Sequence, residues 1–557
     1  MTRNEKPIVW VDTARVDISN ALAAVSTTSR LVARSDLEVA IRKRVSFPPF
    51  DEQNAWSART ISPYLSAVRE CIEKYIYELV QSYSPAEWLW FLRRVPDEIF
   101  AGSLPTTLGY MEGLADVASA LSTRPAGALP LSSGMISYEV NDKITRLLIR
   151  FLIAIGYLFD IHMRLRFAGK GATFRKPIGK RFLPQQQVSN EMRQAIDLYD
   201  RRVVRAQLPF RRVGTEISAK TKNTDSMMVV QRTNPIYIEA PLGKGLGFVE
   251  TRFVPKFVSV DALQRINHDL RFEAPALWSP NVATLATFLR CGFEILASSR
   301  SGPANLSNVG YLIVKETSFH KSLAKCWSDV LKWQENLFPT FQPIRDSYDL
   351  LRRLKTIRGS LWPLQIGPVV REFEDGLCLD LYAATNLLET MFEFPAEQGV
   401  VANIRARHFE LAVQKSINAS QWRPPKDLLA LRGVGLRLGG REITDVDALG
   451  ARDDRLLIIS CKSVIYSKDY DAGDYRLVRN IASNARESVE SWSRIVKTIL
   501  ENPVGDNYDF SLFSRVVGTV CTPDVIYVPL GPCTELIAAD LLALITLEEL
   551  REWLAAH

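Results

Sequence analysis

The sequence predicts a multi-domain chain with a mainly α-helical N-terminal region, a mixed α+β middle region and a C-terminal α/β core. Three observations carry that prediction. At 557 residues the chain exceeds what a single hydrophobic core organises, so about two to four domains are expected. Apolar residues recur at three- and four-residue spacing from Ile61 to about Asp160 and again from Val282 to about Thr390, the period of helices packed on one face. From Met227 to Val260, and again beyond Gly439, short apolar runs bounded by turn residues read as strands.

Composition narrows the class. A chain that is 47% hydrophobic and 24% charged has the balance of a soluble globular protein. Its seven cysteines include no CxxC pair, which argues against a zinc ribbon and a disulfide framework and suits a reducing, cytoplasmic setting. Five histidines argue against a His-rich metal site. The opening MTRNEKPIVW has no apolar signal core. The most apolar run, Phe151 to Phe159, is closed by Arg150 and Asp160, whereas a membrane span needs about 20 such residues. A buried helix is expected there, and no membrane.

In residues 1–225, Ala86, Leu89, Trp90 and Leu92 set the helical spacing, and the Gly- and Pro-rich stretch Gly169 to Pro184 reads as a loop or flexible crossing. Residues 163–222 carry fifteen Lys or Arg against four acids, a local excess of +11 on a chain whose net charge is +7. Such a segment can form a phosphate-binding surface, with Arg175, Lys176, Lys180 and Arg181 as nucleic-acid contacts and Phe167, Phe174, Phe182 and Phe210 interleaved. A solvated helix face and loop is the plainer alternative.

In residues 226–393, MVVQ, PIYIEAP, GFVETRF and KFVSV read as short strands separated by turns, followed by helices that include KCWSDVLKWQENLF. Gly243, Gly245 and Gly247 mark a hairpin turn, because the GKS or GKT ending of a phosphate loop is missing. With no Walker-type motif in the chain, ATPase chemistry is not expected.

Residues 394–557 hold the chemically informative run, Gly440 to Ser463, GREITDVDALGARDDRLLIISCKS. It reads as two strands joined by a polar turn at Ala451 to Arg455. Period-two alternation places Ile443, Asp445 and Asp447 on one face of the first strand. In the second, Leu456, Ile458, Ser460 and Lys462 share one face, and Leu457, Ile459 and Cys461 the other. Both faces are apolar almost to the end, as in a central strand, and a lysine closing such a strand is costly to bury without a partner. The neighbouring carboxylates can supply that partner. Upstream, Gly399 to Ala419 reads as a helix with Ala406, Glu410, Val413 and Ile417 on one stripe, an unusual place for a carboxylate without a role. Trp422, Pro424 and Pro425 end it, and LLALRGVGLRL supplies a strand before Gly439.

These residue types suit one chemistry. Phosphodiester hydrolysis uses a divalent cation to polarise the phosphate and lower the pKa of the attacking water. Magnesium takes oxygen ligands and keeps several waters, so one or two carboxylates suffice. A lysine beside them can orient the water and offset charge in the transition state. Arg405, Arg407 and His408 are candidate phosphate grips or solvated helix positions. Asp474 is explained by a helix N-terminus. Cys461 alternates away from the site, so no thiol nucleophile is expected.

The order of these pieces resembles the PD-(D/E)xK nuclease superfamily, in which a helix with a glutamate precedes a strand with an aspartate and then a strand ending in Asp/Glu-x-Lys. HFE at 408–410, TDVDA at 444–448 and ISCK at 459–462 stand in those places, and thirteen positions separate Asp447 from Ser460. DYRLVRNIASNARESVESW is similar to the following helix, and VVGTVCTPDVIYVP to the late strands. The resemblance covers about 150 residues and none of the first 390. It implies a restriction-endonuclease-like core and a Mg2+-dependent (or Mn2+-dependent) endonuclease, acting on DNA ahead of RNA. Asp447, Glu410 and Asp445 would be metal ligands and Lys462 would position the water. Ser460 departs from the pattern by replacing the second acid. Some restriction enzymes of the superfamily share that replacement and recruit a carboxylate from a neighbouring helix; Glu410 is the first choice here and Glu487 the second. A nuclease joined to a large unfamiliar region is similar to effectors of bacterial restriction or anti-phage defence, as a homo-oligomer or with a partner subunit. The alternative is a catalytically degenerate scaffold that binds nucleic acid or protein.

Overall fold

The computed structural model describes residues 8–10, 12–51, 55–100, 107–128, 131–132, 135–136, 138–177, 182–216, 226–242, 245–259, 280–298, 302–339, 341–357, 368–393, 400–464, 470 and 473–557. It is a mixed helix-and-sheet protein whose buried side chains fall into separate cores along the chain.

The N-terminal part is built from α1 (Thr13–Ala24), α2 (Thr27–Arg42), α3 (Ala58–Val80), α4 (Pro85–Leu92), the single turn α5 (Asp97–Phe100), α6 (Thr107–Ser119), α7 (Asp142–Gly169) and α8 (Asn190–Glu216). Side-chain oxygens of Ser26, Ser57, Ser84 and Asn141 accept backbone N–H groups at the starts of α2, α3, α4 and α7, satisfying donors that the helices cannot bond internally. In α3 the stripe Ile61, Leu65, Val68, Ile72 and Ile76 is fully buried against α7. Phe151 lies inside α7 within this core, and no helix among the described residues is long and apolar enough to cross a membrane.

The stretch expected to be a loop contains β5 (Thr173–Arg175) and leads directly into β6 (Gln185–Gln187), antiparallel partners in a sheet with β2 (Ala55–Trp56). Its local composition has no period to reveal a strand. Burial of Phe174 and Phe182 in the helical core holds it in place.

In the middle part, the expected short strands are one long hairpin, β7 (Ser226–Leu242) against β8 (Gly245–Ser259). The register slips between Arg232 and Ile236, around Pro235, which cannot donate to a ladder. That irregularity is what made the segment read as separate strands. Leu242 pairs with Gly245, so the hairpin closes at the glycine cluster as expected. Helices α9 (Pro280–Ser298), α10 (Gly302–Val309), α11 (Glu316–Ala324), α12 (Trp327–Leu337), α13 (Ser347–Thr356) and α14 (Leu381–Glu393) form the core with β7 and with the sheet of β9 (Tyr311–Val314), β10 (Val370–Glu372) and β11 (Leu377–Asp380).

The C-terminal part begins with α15 (Val400–Asn418) and the turn α16 (Lys426–Leu429), then β12 (Gly435–Leu438) and β13 (Arg441–Asp445) as an antiparallel pair. A second, four-stranded mixed sheet has the order β14 (Ala448–Arg452), β15 (Arg455–Cys461), β16 (Arg515–Thr522), β19 (Leu544–Thr546). β14 is antiparallel to β15, whereas β15, β16 and β19 run parallel. The small pair β17 (Leu536–Ala538) and β18 (Leu541–Leu542) leads into β19. Helix α17 (Tyr475–Glu501) covers one face of the four-stranded sheet, while α15 and α18 (Leu547–Ala556) cover the other. The result is an α/β sandwich with β15 at its centre.

Candidate active site

β15 positions the site because both of its faces are buried. Leu456 and Ile458 join the core beneath α17, and Leu457, Ile459 and Cys461 join the core beneath α15 and α18. The alternation expected from the sequence therefore holds along β15. Ser460 is buried on the α17 side, and beyond the strand the Lys462 N–H still bonds the Cys521 carbonyl at 2.9 Å. That extra bond carries the lysine to the mouth of a cleft of about 380 Å³, shared by Asp445, Ser460 and Lys462 with Asn484, Glu487 and Ser488 of α17.

Asp447 stands at a break in the chain. The expected single strand is two, since β13 pairs with β12 and β14 pairs with β15 in a different sheet. Alternation along one strand thus does not relate Asp445 to Asp447. Asp445 is exposed, Val446 is buried and Asp447 is half-buried. The turn joining β14 to β15 is also tighter than expected, because Arg452 pairs with Arg455 around Asp453 and Asp454. Asp453 adopts a φ of 54°, which an aspartate tolerates better than most residues.

Asp447 is pinned from both sides. Its Oδ2 accepts the Cys461 N–H at 2.6 Å, and its backbone carbonyl accepts Gln414 Nε2 of α15, also at 2.6 Å. Burial raises its carboxyl above the usual range, and Asp445 adds to the rise; the Cys461 N–H, Lys462 and the Ser460 hydroxyl oppose it. The Glu410 carboxyl is raised as well, first by burial and then by Asp447 and Asp445, with Lys462 and Arg407 pulling it down. Glu410, Asp445, Asp447 and Lys462 therefore form one electrostatic cluster. Burial pushes the Cys461 thiol far up, so it is no nucleophile at neutral pH.

The stripe read on α15 is buried at Val413 and Ile417 and emerges at Glu410, with Phe409 sealing the core below. The two carboxylates proposed to replace the acid missing at Ser460 approach from different directions. Glu410 comes from α15 and is acted on by Asp447, whereas Glu487 shares the α17 cleft with Ser460 and Asp445. Sequence reasoning missed Gln414, Asn484 and Ser488. For the last two, the polar steps Asn484, Glu487, Ser488 and Ser491 on one side of α17 are the signal. Among the described residues no three His, Cys, Asp or Glu side chains form a ready-made metal cage.

Among the described residues, none of the basic segment lines this cleft. Arg175 and Lys176 are exposed at the end of β5; Lys180 and Arg181 lie outside the described residues. Phe174 and Phe182 are core residues rather than stacking platforms, and the side chain of Phe210 is outside the description. Several of its charges work internally. Arg166 pairs with Asp200 at 2.5 Å, Lys170 Nζ sits 4.4 Å from the Tyr199 ring centroid, and Arg202 bonds Glu549 at 2.7 Å. Arg407 is exposed, His408 is half-buried, and the Arg405 side chain is outside the description. Asp474 caps α17 by accepting the Leu477 N–H, as its position predicts.

No family model, curated protein or solved structure matches this chain.

Proposed function

We propose that the chain is a metal-dependent nuclease that hydrolyses phosphodiester bonds, with DNA ahead of RNA as substrate. The observation that carries this reading is the cleft that Asp445 and Lys462 share at the end of the central strand of an α/β sandwich, with Asp447 bonded to the adjacent Cys461 N–H and Glu410 coupled to both aspartates. The order of α15, the β14–β15 hairpin, α17 and β16 is what the resemblance to PD-(D/E)xK nucleases leads one to expect, and it supports a restriction-endonuclease-like core.

The donor set fits a hard divalent cation. Its ligands are oxygens, and two carboxyls are raised by burial and by neighbouring aspartates (Asp447 and Asp445 on Glu410, Asp445 on Asp447), a state that a nearby cation relieves. Glu410 and Asp447 would hold Mg2+ or Mn2+, with Asp445 as a further ligand. When bound, the ion would polarise the phosphate and lower the pKa of the attacking water. The chain's own groups do the rest. The Cys461 N–H fixes the Asp447 carboxylate, the Ser460 hydroxyl favours its ionised form, Gln414 ties its backbone to α15, and Lys462 orients the water and offsets developing charge. By analogy, such a nuclease serves bacterial restriction or anti-phage defence in the cytoplasm.

Cleavage with magnesium or manganese, measured on plasmid, linear duplex, single-stranded DNA and RNA, tests the reading. Metal-dependent cutting that disappears in Asp447→Asn is the expected result. Ser460, standing where a carboxylate usually stands, favours a second reading as a degenerate nucleic-acid- or protein-binding scaffold. Inert wild-type protein on every substrate with either metal would establish that alternative.

A further inference from the structure

A second cleft, of about 690 Å³, opens where α3 and the end of α7 meet the start of α17. Its walls come from distant parts of the chain. On α3, Arg59, Ser62, Ser66 and Arg69 follow one another at helical spacing and share a face that flanks the buried stripe, exposed at Arg59 and half-buried at the other three. Arg476 faces them from the first turn of α17. Arg59 and Arg476 are exposed and make no ion pair among the described residues, and Arg69 lies 3.6 Å from Glu73. The acid in the lining, Asp474, is committed to the Leu477 N–H. Among the described residues, the lining therefore carries three arginines against one carboxylate.

Backbone contact closes one side of it, where the end of α7 meets the start of α17. Gly473 has a φ of +80°, and a Cβ there would lie 2.5 Å from the Leu165 carbonyl oxygen; a Cβ on Gly169 would collide with the Gly473 carbonyl. Only glycines allow these two walls to approach so closely.

A polar track joins this cleft to the candidate active site. Arg476, Asn480, Asn484, Glu487 and Ser491 recur on one side of α17 at three- and four-residue steps. At about 1.5 Å per residue, Arg476 lies about 12 Å along the helix from Asn484. Duplex DNA rises about 3.4 Å per nucleotide along each strand, so the interval matches about three to four nucleotides.

We propose that the cleft walled by Arg59, Arg69 and Arg476 binds backbone phosphates of the polynucleotide strand cut beside Lys462, about three to four nucleotides from the scissile bond. The proposal rests on the nuclease reading and gives the N-terminal helices a share in the substrate site. Arginine suits this ligand because its planar fork bonds two phosphate oxygens together.

The test measures binding of a fluorescein-labelled DNA duplex to the full-length protein as a function of salt. Arg59→Glu and Arg476→Glu are compared with wild type and with Arg146→Glu, an exposed arginine near the other end of α7 that controls for net charge. Each phosphate that the protein no longer neutralises lowers the log–log salt slope by about 0.9 on duplex DNA and about 0.7 on single strands. Both cleft variants should show that decrease, Arg59→Lys should retain the slope, and Arg146→Glu should leave it unchanged. Cleavage by the cleft variants should slow on a duplex reaching both clefts and match wild type on one truncated to the catalytic cleft. Unchanged slopes in both cleft variants, with the wild type still cutting, overturn the phosphate site and spare the nuclease reading. Slopes that fall in a protein that cuts nothing keep the phosphate site and overturn the nuclease reading.

Discussion

Lys462 is exposed one residue past the buried length of β15, held there by its N–H bond to Cys521, where its charge acts on Glu410 and Asp447 from outside the core. Lys462→Ala should therefore leave the melting temperature nearly unchanged and lower the cleavage rate on the order of a hundredfold or more. Cutting at the wild-type rate would remove it from the mechanism. The two replacement acids are separable because they approach from different helices. If Glu410 completes the metal shell, Glu410→Gln matches Asp447→Asn in damage, Glu487→Gln is mild, and Ser460→Glu restores activity to Glu410→Gln. The reverse ranking in a side-by-side rate comparison would assign the role to Glu487. The raised carboxyls also set a pH dependence. A carboxyl whose pKa is raised by folding contributes stability below its unfolded pKa, and that contribution is lost as pH rises through the folded value. Without metal, Glu410 and Asp447 therefore weigh against the fold as they ionise. The gain in melting temperature on adding magnesium should grow with pH across the carboxylate range, and a gain independent of pH would separate the metal from these residues.

At the scale of elements, two glycines let helices lie directly on the central sheet. A Cβ on Gly518 of β16 would collide with Val496 of α17 and come within 3.1 Å of Trp492 Nε1. A Cβ on Gly450 of β14 would meet Ile417 and the Trp422 carbonyl, each at 2.8 Å. Gly518→Val should destabilise the protein by about 1–3 kcal/mol in urea unfolding, since overpacking forces the helix off the sheet. It should also slow cleavage, because α17 carries Asn484, Glu487 and Ser488 into the cleft. Unaltered stability would mean that α17 does not seat at Gly518.

Across the whole molecule, the helical and middle parts are joined by buried charge. Arg93 on the α4 side bonds Asp116 of α6 at 2.8 Å and Asp380 of β11 at 3.0 Å, and Arg371 of β10 also reaches Asp380, at 3.1 Å. Burial, reinforced by Asp380 and Glu112 against the pull of Arg93 and Arg371, pushes the Asp116 carboxyl up to about 7. An unfolded aspartate titrates near about 3.9, so the folded state holds the extra proton between those values. Stability from this group is thus present at low pH and lost as pH rises toward and through about 7. Asp116→Asn should gain in melting temperature relative to wild type as pH rises through that window. A constant difference between the two proteins would show that Asp116 ionises normally. At the C-terminal side, Arg202 of α8 forks onto both carboxylate oxygens of Glu549, at 2.7 and 2.8 Å, and so fastens the helical part to the end of the sandwich.

Features that repeat within one element were legible in the amino-acid order alone. The stripe of α15, the two faces of β15 and the cap at Asp474 follow from period and local hydrogen bonding, and they bring Glu410, Ser460 and Lys462 to one end of the sandwich. Asp445 and Asp447 could not be related in that way, because sheet partners decide where a strand breaks, and β12 and β15 claim successive halves of the run. Nor could the basic segment be read from its charge. Asp200 and Glu549, which take up part of that charge, and the core that buries Phe174 and Phe182 are set by how the helices pack. The arginine cleft has no sequence signature at all, since Arg59 and Arg476 line one cleft only through the packing of distant elements, in which Gly169 and Gly473 let the end of α7 touch the start of α17.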